Sequence, residues 1–182
     1  QFMFSDYNIY SGNTFSNKSA GVEVLSSTPL IMENNTFKDN WGAASFGIYL
    51  KEIENSRITG NKFIRNTAGI DMEGSDKITI SFNTFSDNGW AMKVASDCYK
   101  DTVTQNNFEN NSFDVAASGT GHCLFNRNYW DDYQGYDLNH DGIGDIPFQP
   151  VSLFSIIVEE CPDAMIMLKS FIVQVLNKAE AM

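Results

Sequence analysis

Bases are scarce in this chain: 12 lysines and arginines stand against 23 aspartates and glutamates, a formal net charge of −11 over 182 residues. Nucleic-acid binding draws its affinity from cationic side chains on phosphate, so that class of partner is excluded. Histidine and cysteine are scarce too, at two and three residues. Cys98, Cys123 and Cys161 show no CxxC or CxxxC spacing, which argues against a zinc or iron–sulfur site. Their odd number leaves at least one thiol outside any internal disulfide, and small buried hydrophobes are the simplest reading. No apolar run approaches the roughly 18 residues of a membrane span. No basic-then-apolar leader opens the chain either. It begins at "QFMFSDYNIYSGN", already inside a repeat, so it reads as a piece of a longer protein whose export signal lies upstream. At this length, one domain with an appendage is expected.

What the chain does have is a repeat. The triplet Asn-x-aromatic recurs from Asn13, Asn35, Asn61, Asn83, Asn106 and Asn128, at spacings of 22, 26, 22, 23 and 22 residues. The long interval carries four extra residues near "WGAA" (41–44), and the interval of 23 carries one. A second asparagine follows five residues later at Asn40, Asn66, Asn88 and Asn111. A small residue precedes the next triplet at Gly21, Gly47 and Gly69, with Ala91 one place out.

Aligned on these landmarks, apolar columns appear: Val22, Ile48, Ile70, Met92; Val24, Leu50, Met72, Val94; Met32, Ile58, Ile80, Val103; and Phe15, Phe37, Phe63, Phe85, Phe108, Trp130. Glu23, Tyr49, Asp71 and Lys93 alternate with them, which is the polar half of a period-2 strand. Short strands turned by Asn and Gly at a fixed period predict an all-β fold, a parallel β-helix of about six coils over 1–148. Asparagine suits the turns because it tolerates left-handed backbone angles, and stacked in register it can form amide ladders. A leucine-rich repeat would need Leu columns and a helix in each repeat, and has neither. Met32, Met72 and Met92 fall in inward columns and are read as packing. Met3 aligns instead with Leu25, Lys51 and Glu73, an outward column, and is a soft-metal candidate.

"DLNHDGIGD" (137–145) places Asp137, Asn139, Asp141 and Asp145 where the first half of an EF-hand-type calcium loop has ligands, with the Ile143 carbonyl. Phe148 stands where that loop needs a bidentate glutamate, so a complete EF-hand is excluded. The other reading is an Asx-rich turn bonded to its own backbone. From 149 to 182 the Asn/Gly turns give way to helical character. Pro150 and Pro162 sit where first-turn prolines belong, and Asp163 favours the second helix's start. That second helix is apolar nearly all round, so it is expected either to cap the open end of the β-helix or to dock a partner.

The chain resembles the NosD family, periplasmic proteins required to mature the copper sites of nitrous oxide reductase. The resemblance is carried by "MFSDYN" (3–8), "NWGAASFGIYLKEIENSRITGNKF" (40–63), "NGWAMKVASDC" (88–98), "NYWDDYQGYDLNHDGIGDIPF" (128–148), "QPVSLF" (149–154) and "MLKSFIVQVLNKAE" (167–180). It implies a right-handed parallel β-helix outside the cytoplasmic membrane, associated through its helical end with ABC-type transporter subunits. It also implies a role in handing copper from a copper chaperone to the reductase, with no catalysis of its own and membrane association only through partners. Copper(I) prefers thioether, thiolate and imidazole donors. The copper candidates are Met3, His122 and His140, and the docking candidates on the tail are Phe154, Met165, Met167, Phe171 and Val175.

A reading from a different class is a polysaccharide-binding or polysaccharide-processing β-helix. Processing would need clustered carboxylates with a base on adjacent coils. Lys51 with Glu73, and Asp71 with Lys93, offer such neighbours, although stacked opposite charges are more simply cross-coil salt bridges. Trp41 and Trp90 are the aromatic candidates for sugar binding.

Overall fold

A computed structural model describes residues 1–117, 122–168, 170, 172, 173, 175 and 176. The first coil is β1 (Phe2–Met3), β2 (Asn8–Ser11) and β3 (Thr14–Ser16); the second is β4 (Ala20–Leu25), β5 (Leu30–Glu33) and β6 (Thr36–Lys38). The third is β7 (Phe46–Lys51), β8 (Arg57–Thr59) and β9 (Lys62–Ile64); the fourth is β10 (Ala68–Glu73), β11 (Thr79–Ser81) and β12 (Thr84–Ser86). The fifth is β13 (Trp90–Val94), β14 (Tyr99–Thr104) and β15 (Asn107–Glu109). The sixth is β16 (Phe113–Ala117), β17 (His122–Asn126) and β18 (Tyr129–Trp130). Each strand pairs in parallel with its counterparts in the neighbouring coils. This yields three six-stranded sheets: A from β1 to β16, B from β2 to β17 and C from β3 to β18. The chain is a parallel β-solenoid of about six coils, as the repeat predicted.

Register follows the sequence columns. Ile70 pairs with Ile48 and Met92, Ile80 with Ile58 and Val103, and Phe85 with Phe63 and Phe108. The four extra residues lie in the loop between β6 and β7, and the single extra one in the turn between β13 and β14. The inward columns are fully buried from the second coil on, Met32, Met72 and Met92 among them. The rings of Phe15, Phe37, Phe63, Phe85, Phe108 and Trp130 form a single file with centroids 5.0, 5.0, 4.8, 4.9 and 4.1 Å apart. The small-residue column lies under these rings. A Cβ at Gly69 would sit 2.6 Å from the Ala91 carbonyl oxygen and 3.1 Å from the Phe85 ring. Ala91 falls in that same column after all, because the extra residue comes later in its coil.

Two asparagine ladders run down the stack. Asn61 donates both its backbone N–H (2.8 Å) and its side-chain amide (3.0 Å) to Asn83 Oδ1. The pattern repeats from Asn13 to Asn128, and in the second ladder from Asn40 to Asn111. One expectation is corrected here: the ladder asparagines do not adopt the left-handed backbone. That conformation belongs to the residue immediately before each one, Gly12, Asn34, Gly60, Phe82, Gln105 and Arg127 in the first ladder and Asp39, Arg65, Asp87 and Asn110 in the second. The preceding residue makes the corner in solvent, so the asparagine amide is free to turn inward and bond the adjacent coil.

The last coil is closed by the segment after it. Phe148 lies 4.9 Å from Trp130, and Tyr133 and Val151 join the same core. Helix α1 (Leu153–Glu160) starts at an N-cap, Ser152, whose hydroxyl accepts the Ser155 N–H at 3.0 Å. The described part of the tail after Ser152 lies against the side of sheet A. There Phe154, Val158 and Val173 pack on Ala68, Trp90, Phe113 and Ala116. Phe46, Ala68, Trp90 and Phe113, which open β7, β10, β13 and β16, form the apolar strip that the tail covers. The second helix begins as a 3-10 helix, Pro162–Met167, and not as α-helix. Cys161 offers no side-chain cap there, and tighter turns take up the free backbone groups.

Candidate functional site

The acidic loop uses its own side chains to hold its backbone. Asp137 accepts from the N–H of Asp141 (3.2 Å) and of Gly142 (2.9 Å). Asn139 accepts from Asp141, Asp141 from Ile143 at 2.8 Å, and Asp145 from Leu138 at 2.7 Å. All four predicted calcium ligands are thus engaged in closing the loop, as in an Asx-rich turn. Among the described residues no three His, Cys, Asp or Glu side chains converge as a metal group. His140 stands exposed on this loop with a left-handed backbone.

Met3 lies in the first of the six coils. It pairs with Leu25 on the free edge of sheet A and is 48% exposed between exposed Phe2 and Phe4. At roughly 4.8 Å per coil, six stacked strands separate it from the last coil by about 24 Å. Met3 and His140 therefore cannot share one ion. His122 pairs with Tyr99 in β17, and its side chain lies outside the described residues. The three copper candidates are not brought together.

Along Met3's outward column, Lys51 and Glu73 form the expected cross-coil ion pair at 3.3 Å, and Tyr49 also donates to Glu73. Glu73 is held below the usual carboxylate range by these hydrogen bonds, that of Tyr49 first. Asp71 and Lys93 do not pair. The Lys93 ammonium lies over the Trp90 ring, 5.1 Å from its centroid. Trp90 is buried under the tail, so it offers no open platform for a sugar, while Trp41 is exposed on the long loop.

A buried acid escaped the sequence reading. Asp101 is wholly buried, accepts the Ile78 N–H at 2.8 Å, and has the Cys123 thiol 3.9 Å from its other oxygen. Burial pushes its carboxyl up to about 6. Burial likewise pushes Cys98 to about 11 and Cys123 to about 12, so both stay thiols at neutral pH and neither is poised as a nucleophile. The signal was available, since Asp101 continues a column formed by Leu30, Ser56 and Ile78. On sheet A, Asp114 lines a cavity of about 450 Å³ between the last coil and the tail. Burial pushes its carboxyl up to about 7, with Asp131 and Asp132 adding to the shift.

On the tail, Phe154 is not available for docking: it is 3% exposed, with its ring 5.9 Å from Phe113. Met165, Met167 and Val175 are exposed, and so is Ile166, at 94%. Phe171 lies outside the described residues. No helix among the described residues is long and apolar enough to cross a membrane.

The family model described as periplasmic copper-binding protein (NosD) matches residues 1–140, all six coils of the solenoid and the start of the acidic loop. No curated protein matches the chain.

Proposed function

The chain belongs to the NosD family of periplasmic copper-binding proteins, and from that premise we propose that it is a non-enzymatic accessory in the delivery of copper to nitrous oxide reductase. Copper is the cargo, received from a copper chaperone and passed on, while ABC-type transporter subunits hold the protein at the membrane. The observation that carries this reading is the family match over 1–140. The described residues contain no cage of three imidazole, thiol or carboxylate donors. That accords with a cargo whose ligands are completed by the giving or receiving protein, and the structure supports no transfer step through a site of this chain's own. Exposed Met165, Ile166, Met167 and Val175 form the surface offered to the transporter.

The reading is tested by titrating the intact protein anaerobically with copper(I) against a competing chelator, and separately with a uronic-acid polymer. Retention of copper(I) with no response to the polymer is expected. Binding of the polymer alone would overturn the proposal in favour of a polysaccharide module.

A further inference from the structure

Sheet C carries opposite charge in its two halves. On the earlier coils Lys18, Lys38 and Lys62 make no ion pair among the described residues, because Asp39 beside them is taken by Arg65 at 2.8 Å. On the later coils the charges are negative, Glu109 in β15 and Asp131 just after β18, and Glu109 is likewise unpaired among the described residues. One outward column runs through both halves. Ser16 pairs with Lys38 and Lys38 with Ile64, then Ile64 with Ser86 and Ser86 with Glu109. Asp131 continues the column in the sixth coil, one residue past Trp130. Lys38 in the second coil and Glu109 in the fifth are therefore equally far from the middle of the stack, about 7 Å at the usual strand spacing.

We propose that sheet C is the contact face of a homodimer, two copies of this chain laid face to face with their coil orders reversed. A two-fold axis parallel to the strands, midway between β9 and β12, keeps the strand direction and inverts the stack. It sets Lys38 of one copy against Glu109 of the other, and symmetry makes the same pair a second time. Ser16 then meets Asp131, with Lys18 two residues beyond it, and in the neighbouring outward column Lys62 meets Thr84. Neither column opposes like charges. An axis along the stack would instead lay basic half on basic half, which is unfavourable. Facing opposite charges steer the encounter and fix its register. Each copy carries a formal charge of −11, but at physiological ionic strength charges beyond about 8 Å are largely screened, while facing pairs are not. The sheet C strands are at most three residues long, so the contact is small and the dimer transient. Pairing through sheet C needs no copper and leaves the exposed tail residues free.

The test is sedimentation velocity on the intact protein over a concentration series, with variants that exchange these charges. The parent is expected to move from monomer towards dimer as its concentration rises. Lys38→Glu and Glu109→Lys each oppose like charges twice, and each should weaken dimerisation at least about tenfold. Mixing the two single variants restores both pairs across a heterodimer, and the double variant restores them in a homodimer. Both should recover the parent's association. Lys100→Glu, the same change of net charge on sheet B, should leave it unaltered. Should a charge reversal fail to fold, Lys38→Gln and Glu109→Gln remove the pairs and should weaken association too. A parent that stays monomeric up to millimolar concentration overturns the proposal. So does dimerisation that either single variant leaves unchanged, or that Lys100→Glu weakens equally. Loss in the single variants without recovery in the mixture or the double variant overturns pairing with a second copy.

Discussion

Asn83 makes four hydrogen bonds through one side chain. Its oxygen accepts the backbone and side-chain N–H groups of Asn61, and its amide donates to the Ile58 carbonyl and to Asn106. Asn83→Ala leaves several of these buried groups unsatisfied, so it is expected to cost about 3 kcal/mol or more. Asn13→Ala, at the exposed end of the same ladder, should cost under about 1 kcal/mol, and urea denaturation of both variants measures the difference. Asp101 behaves in the opposite sense. Its folded value, about 6, lies above the ordinary 3.8, so the folded state keeps its proton after the unfolded chain has lost it. Stability from this group is complete below the unfolded value and falls as pH rises through the window up to the folded one. The penalty above that window is about 3 kcal/mol. Asp101→Asn keeps an oxygen for the Ile78 N–H and cannot ionise. It should therefore be more stable than the parent at about pH 8, with the gain vanishing near pH 4. A gain that is independent of pH would show that the carboxylate charge is not the cause.

A coil is stable only on its neighbours, and the aromatic file shows why. Phe63 is buried between Phe37 and Phe85, 5.0 and 4.8 Å away. Phe63→Ala should cost about 3–5 kcal/mol by removing apolar surface and opening a cavity that flanking coils cannot collapse into. Phe15→Ala, on the partly exposed first coil, should cost distinctly less; equal losses in thermal unfolding would mean that the coils do not depend on stacking. The strands, their register and this file were legible in the sequence because the same Asn-x-aromatic step recurs in every coil, so counting alone aligned inward and outward positions. Met3 could be placed outward in this way before any coordinates. The αL residues were misassigned by one place because adjacent turn residues look alike until backbone angles are known. Trp90 and Phe113 were harder still. They face outward at the start of their strands, and only the tail folding back over sheet A decides that they are buried.

At the scale of the whole molecule, the solenoid is a stack of six coils with one side covered. The acidic segment closes the last coil through Phe148, and the tail covers part of sheet A while exposing Ile166 and its neighbours. The calcium and copper candidates were chosen for their chemistry one residue at a time. The fold separates Met3 from His140 by nearly the full stack and engages the loop acids in backbone turns. The most direct measurement of the role in copper delivery is the copper content of nitrous oxide reductase isolated from cells lacking this chain. Reductase without its copper, restored to full loading when the chain is supplied again, is the expected result. Reductase that is fully loaded in the chain's absence would contradict it.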